Sequence, residues 1–439
     1  MSRTMWTSVA GVLLAIGCGS KGTTPDAMPG VPDAAPCQGL ACFQVECPAG
    51  EATTVSGTVY APNGTLPLYN ATVYVPTTEV AAFTDTLTCD RCADAPSGNP
   101  LVQATTDTEG RFVLTNVPAT GDVPLVIQIG RWRRQVVVPS VPACVDTPLD
   151  AGTTRLPATQ AEGDIPRIAL STGQADALEC LLRKIGLDDS EFTNPGGGGR
   201  INLFDGANGA SRYNTALGGA TFPESSSSLW DATASLSNYD VVLLSCEGSQ
   251  NLGDKPEASR DAMAEYAGLG GRVFASHWHN AWIEHGPGQF ADVGTWSNRS
   301  DLNDITADLD TSFPRGVDLA DWLVNVGAST TSGQIPLTAA QHTLDAIDGG
   351  LAQRWIYKDV TANGAPSVQY FSFTTPLEQD EANRCGRVVF SDIHVSSGDR
   401  SRNGTPFPDD CTTTDLSPQE KVLAFMLFDI SSCIEAPLD

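Results

Sequence analysis

Through much of residues 51–143 apolar and polar residues alternate with a period of two. TTVSGTVYAPNGTLPLYNATVYVP carries an Asn63-Gly64 turn, ATTDTEGRFVLTNVP repeats the alternation, and VPLVIQIGRWRRQVVVP completes it. Alternation lines one face of a strand with apolar side chains, and Asn-Gly is a hairpin signal. No run of helical period intervenes, so the pattern predicts a small antiparallel β-sandwich. After a polar stretch rich in threonine and proline, 145–164, the pattern changes. IPRIALS, RINLFD, YDVVLLSC and RVFASH read as strands, the third being the near-continuous apolar run expected where both faces are covered. Between them, ADALECLLRKIGL places Leu178, Leu181, Leu182 and Ile185 on one helical face, and PEASRDAMAEYAGLGG reads as a helix from Pro256 to a stop at Gly270-Gly271. RWIYKD, VQYFSFTT and GRVVFSDIH follow. The last helix, SPQEKVLAFMLFDI, opens with Ser417, Pro418 and Glu420 spaced as a capping box. Alternating strands and helices predict a three-layer α/β (flavodoxin-like) domain with a mostly parallel sheet.

The first eighteen residues, MSRTMWTSVAGVLLAIGC, combine Arg3, a short apolar core and a small residue before cysteine. That is a signal peptide rather than a membrane span. LAIGC resembles a bacterial lipobox, which makes Cys18 the lipidated first residue of the mature chain and its membrane anchor. Gly19 follows it instead of an acidic retention signal, which favours the outer membrane or cell surface. The expected organisation is a signal peptide (1–17), a disordered tether and Cys-rich lead-in (18–50), the sandwich (51–144), a linker (145–164) and the α/β domain (165–439).

Acidic residues outnumber basic ones 52 to 25, a net charge of −27. Phosphate binding needs clustered Lys and Arg, so nucleic acid is excluded as a partner. The one basic knot, RWRRQ at 131–135, reads as a polar strand face or a contact with an acidic neighbour. Twelve cysteines suit an oxidising compartment. With Cys18 lipidated, eleven remain, so one thiol is free or pairs between molecules. The CDRC at 89–92 lacks a second Cys-x-x-Cys and reads as structural disulfides. Cys385 and Cys433 are expected at the same sheet edge and as a pair, and any two of Cys180, Cys246 and Cys411 at the other.

Three of the five histidines fall in RVFASHWHNAWIEHGPG. His277 and His279 come where a strand ends, and extended alternation puts both on one side. FSDIH ends another strand and gives Asp392 and His394 a shared side. Ligands of open parallel sheets gather beyond such carboxyl ends. His277, His279 and His394 are therefore candidate metal ligands, with zinc the natural ion. With Asp392 they are equally candidates for acid–base catalysis. Trp278, Trp282 and Glu247 are candidate ligand contacts, the tryptophans as sugar-stacking faces or as core and lid packing. His285 and His342 read as structural. NPGGGGR at 194–200 precedes a strand and lacks Gly-Lys-Ser/Thr, so it reads as a flexible loop. No H-E-x-x-H or G-x-S-x-G occurs.

SGTVY, PLYNATVYV and TTDTEGRFVLTNVPA resemble the carboxypeptidase regulatory-like, transthyretin-related family, whose wider fold includes starch-binding domains. That resemblance implies a spacer or binding platform, with a cysteine-bearing insert between Val80 and Pro100 as the departure. YDVVLLS, AMAEYAGLGGRVFASHWH and GRVVFSDIH resemble the ThuA-like and class I glutamine amidotransferase-like superfamily. Where the amidotransferases place a catalytic cysteine this chain has Ser276-His277-Trp278, and Ser396 stands where their late glutamate would be. Amide hydrolysis through a thiolate is not expected. The overall expectation is a surface-anchored lipoprotein that binds a glycan or small ligand. The alternative is an envelope or extracellular saccharide hydrolase, with or without a metal.

Overall fold

Seven short strands open the computed structural model, which describes residues 37–92 and 94–434. They are β1 (Thr54–Thr58), β2 (Thr72–Pro76), β3 (Pro100–Thr105), β4 (Arg111–Thr115), β5 (Gly121–Ile129), β6 (Trp132–Ser140) and β7 (Asp146–Pro148). They form one sheet of order β4-β1-β7 and another of order β3-β2-β5-β6. All pairs are antiparallel except β1 with β7. The alternation that predicted them is visible in β4, whose side chains alternate between exposed and buried.

The rest of the chain builds a ten-stranded sheet. Its strands are β8 (Ile168–Ser171), β9 (Phe192–Thr193), β10 (Ile201–Phe204), β11 (Val241–Leu244), β12 (Arg272–Ser276), β14 (Asn303–Leu309), β15 (Gln334–Ala340), β17 (Gln353–Lys358), β18 (Ser367–Thr375) and β19 (Gly386–Ser391). A separate ribbon pairs β13 (Gly294–Trp296) with β16 (Leu344–Ile347). The order across the large sheet is β15-β14-β17-β18-β19-β12-β11-β8-β10-β9. From β19 to β9 every pairing is parallel, and from β15 to β19 every pairing is antiparallel. The sheet is therefore mixed rather than mostly parallel. β17 and β18 are joined by a short turn with no crossover helix, and such a connection can only reverse the chain.

Among the described residues four helices are longer than one turn: α1 (Leu178–Lys184), α2 (Glu257–Gly268), α3 (Pro314–Asn325) and α4 (Pro418–Ser431). α2 is preceded by Pro256 at its N-cap and followed by Gly270 at φ +110°. α4 has the expected reciprocal capping box between Ser417 and Glu420. β11 and β12 are buried along their whole length. Leu243 and Phe274 face one apolar cluster, Val242, Leu244 and Ala275 the other.

The first of these clusters also contains the inward residues of the two small sheets together with α3 and α4. Trp132 packs 5.7 Å from Phe428, and the Trp322 indole donates to the Pro67 carbonyl at 2.9 Å. Residues from Gly39 onward form one compact unit. The stretch 145–164, expected as a linker, contributes β7 and a helical turn capped by Asp150, and it buries Thr154 and Leu156 completely.

Disulfides fasten the same junction. Cys89 bonds Cys385 and Cys92 bonds Cys433, so the expected Cys385–Cys433 bond is replaced by two bonds to the CDRC insert. The two late cysteines do lie at one edge, but the insert reaches that edge as well. Cys47 also bonds Cys144 and Cys180 bonds Cys411, and the free cysteine among the described residues is Cys246. The basic knot contacts acidic neighbours, Arg131 with Asp240 at 3.2 Å and Arg133 with Asp164 at 2.9 Å. No helix among the described residues is long and apolar enough to cross a membrane. The expected signal peptide, the expected lipidation site Cys18 and most of the expected tether lie outside the described residues.

Candidate functional site

β8 is the origin from which the parallel half grows in two directions, to β10 on one side and to β11, β12 and β19 on the other. Such a switch point opens a crevice beyond the carboxyl ends of the strands. The register aligns Leu244 with Ser171 and with Ala275, and Ser276 with Ser391. Cys246, His277 and His394 each lie one to three residues past these ends, and Asp176 lies in the turn after β8. The strand ends approach closely: a Cβ at Gly173 would collide with the Cys246 and Ser245 carbonyls.

Three of these side chains meet. Cys246 Sγ lies 3.3 Å from His277 Nδ1, and the His277 and His394 rings are centred 5.0 Å apart. One ligand atom from each of the three falls within 4.8 Å of the others. All are buried, Cys246 at 0%, His277 at 5% and His394 at 8% exposure. His277 has φ +45°, the left-handed region that a non-glycine residue occupies only where its surroundings impose it. The His394 Nε2 is buried with no hydrogen-bond partner.

Asp176 stands beside them, almost wholly buried. Its carboxylate accepts from the Ser276 hydroxyl at 2.7 Å and the Val395 N–H at 2.9 Å. Burial raises its pKa, opposed by the neighbouring His394. Burial pushes the Cys246 thiol up to about 12 and, with His394 and His279 nearby, His277 down to about 2. Both groups are then neutral at pH 7, so a thiolate–imidazolium nucleophile is not formed.

The other candidates have different duties. His279 was expected to share a side with His277. Instead the chain turns at His277 into a 3-10 segment, His277–Asn280, which cancels the alternation of an extended strand. His279 Nε2 meets the Ser245 carbonyl at 2.9 Å and its Nδ1 accepts from the Trp282 indole at 2.9 Å, so neither nitrogen is available to a metal. Asp392 is also outside the cluster. Its two oxygens accept from the Thr343 N–H and hydroxyl, both at 2.8 Å, and hold the ribbon against the sheet. Glu247 is buried against Lys255 at 2.6 Å and Trp282 is 3% exposed, so both belong to the interior. Trp278 is half-buried with its ring 4.7 Å from that of His277, and it alone of the proposed ligand contacts stays near the surface. His285 is partly exposed beside Gln250, while buried His342 bonds Asp345 and the Pro366 carbonyl.

A cavity of ≈ 570 Å³ adjoins the cluster, with Asp176, Ala177, Val395, Asp399 and Ser401 in its wall and Gln174, Asn208, Arg400 and Asn403 at its exposed rim. Its size suits a small ligand, and its lining is rich in hydrogen-bonding groups. Sequence reasoning missed Asp176 and Ser276 as partners and offered Cys246 only as one of three cysteines that could pair, whereas it is free and joins the histidines. The one available signal was the odd cysteine count.

No family model matches the chain, and no curated protein matches it. Among solved structures, the fold is similar to that of a protein described as ThuA-like from Bacteroides uniformis. That match has 13% identity and a TM-score of 0.32, and covers 60% of this chain and 90% of the other. A second similarity is to a type II cohesin–X-dockerin complex from Acetivibrio cellulolyticus, at 20% identity and a TM-score of 0.15, covering 32% of this chain and 75% of that one.

Proposed function

We propose that this chain is an outer-membrane or cell-surface lipoprotein, anchored through Cys18, that binds a glycan or other polar small ligand in the cleft beside Asp176. The observation that carries the reading is the ≈ 570 Å³ cleft at the switch point of the parallel strands, where amide, hydroxyl, carboxylate and guanidinium groups converge. Uncharged polyols are recognised by such mixed donor and acceptor sets. In this reading the first two sheets are a carboxypeptidase regulatory-like sandwich. The parallel half, ordered β10-β8-β11-β12-β19, is a flavodoxin-like and ThuA-like core.

One observation favours a second reading, a saccharide hydrolase. Asp176 both lines the cleft and touches Ser276 beside His394, so an acid–base group would border any bound ligand. The two readings separate experimentally. Full-length protein is screened on a glycan array beside an Asn208→Ala/Asn403→Ala variant, both rim residues being exposed. Binding that the variant loses without a change in melting temperature supports the cleft. Binding retained by the variant, or none at all, removes it. Release of shortened sugars, abolished in Asp176→Asn, would establish the hydrolase instead.

A further inference from the structure

The histidine with an unpartnered nitrogen and the cysteine with no disulfide partner face each other across His277. We propose that Cys246, His277 and His394 are the protein's three ligands for one transition-metal ion of the zinc class. The fourth tetrahedral position is left for water.

Three independent observations support this. First, a tetrahedral zinc ion with sulfur at about 2.3 Å and nitrogen at about 2.0–2.1 Å requires its ligand atoms to lie some 3–4 Å apart. The 3.3 Å between Cys246 Sγ and His277 Nδ1 and the 4.8 Å limit on the whole set need only a small contraction. Second, a buried ring nitrogen without a partner costs free energy, and a metal bond at His394 Nε2 would remove that cost. Third, Cys246 stays reduced where the other described cysteines are oxidised. It is wholly buried and has no cysteine partner, and it receives the Gly248 N–H at 3.5 Å, a contact that also suits a metal-bound thiolate.

Ligand type points to zinc or a close relative. One soft sulfur and two imidazoles do not suit magnesium or calcium, which take oxygen. His279 is no part of the set, because both of its nitrogens are engaged. The site lies behind the cleft and holds regardless of what the cleft binds.

The test uses the full chain, secreted into an oxidising compartment without a histidine tag, dialysed against zinc and then against metal-free buffer. Elemental analysis should find about one zinc per chain, and X-ray absorption of the wild type should show one sulfur at about 2.3 Å with nitrogen or oxygen at about 2.0–2.1 Å. Cobalt substitution should give a thiolate-to-metal charge-transfer band that Cys246→Ser abolishes. His394→Ala should lower zinc retention at least about tenfold, since losing even an outer-shell partner of a metal ligand costs about 10–100-fold in affinity, while His285→Ala leaves it unchanged. A shell without sulfur, or zinc no higher than in the Cys246→Ser/His277→Ala/His394→Ala triple variant, would overturn the proposal. Since the absorption measurement needs no variant, a misfolded mutant cannot decide the matter. Glycan binding by protein that fails to retain zinc after the dialysis would leave the cleft standing while removing this site.

Discussion

His279 shows what a buried histidine does when it is part of the framework rather than a ligand. It joins the Ser245 carbonyl to the Trp282 indole, tying the end of β11 to the short helix Ala281–Glu284. Replacement by alanine strands two buried polar groups at about 1–3 kcal/mol each, for an expected loss of about 2–6 kcal/mol in urea denaturation at pH 7. An unchanged midpoint would show that the two bonds are not made. Glu179 has a different signature. It is 1% exposed, and burial first, then the like charges of Asp176 and Asp399, raise its pKa from the ordinary glutamate value of 4.5 to about 7, while Ser401 opposes the shift. Between those two values the unfolded chain has lost the proton and the folded chain still holds it, so stability falls as pH rises through that window. At 1.36 kcal/mol per pKa unit the fall reaches about 3 kcal/mol. Glu179→Gln removes the titration, so the stability difference between variant and wild type should grow in the variant's favour from pH 4.5 to pH 7.5. A difference that stays constant across that range would refute the assignment.

The elements best forecast are those whose signals are local. The α4 capping box needs only Ser417 and Glu420 three residues apart, and both reciprocal bonds form, Glu420 N–H to Ser417 Oγ at 3.3 Å and Ser417 N–H to Glu420 at 2.8 Å. Ser417→Ala should cost about 1 kcal/mol, read from the urea midpoint, with Ser417→Asp restoring most of it; an alanine variant as stable as wild type would mean the cap carries no weight. The apolar runs of β8, β11 and β12 were legible for the same reason, since burial on both faces is written into consecutive residues. Strand direction is not. VQYFSFTT reads the same whether its neighbour runs parallel or antiparallel, and only the short reversal between β17 and β18 decides it. The candidate site was half legible. His277 and His394 follow from being at strand ends. His279 was misplaced because alternation holds only while the chain is extended, and at φ +45° it is not. Asp176 escaped notice because its turn has no pattern of its own.

At the scale of the whole molecule, connectivity is what sequence could not supply. Cys89 and Cys92 are separated from Cys385 and Cys433 by 296 and 341 residues, and several pairings satisfy the same edge. The pairing changes how the small sheets relate to the large one. A Cys385–Cys433 bond would fasten β19 only to the helix that follows it. The observed pair instead straps the insert after β2 across that edge, where the shared apolar core already joins the two small sheets to the large one. Trypsin decides between the two, because Arg91 lies between the insert cysteines and cleavage there puts Cys89 and Cys92 on separate peptides. Non-reducing digestion should yield a Cys89-to-Cys385 peptide and a Cys92-to-Cys433 peptide, and a direct Cys385-to-Cys433 peptide would contradict the structure. The energetic consequence follows from loop closure: each bond restrains a long stretch of unfolded chain, so Cys89→Ser/Cys385→Ser should cost about 2–4 kcal/mol. Because one core spans both sheets, that loss should appear as a lower midpoint of a single unfolding transition. Two separate transitions, with only the sandwich shifted, would mean that the core does not couple them.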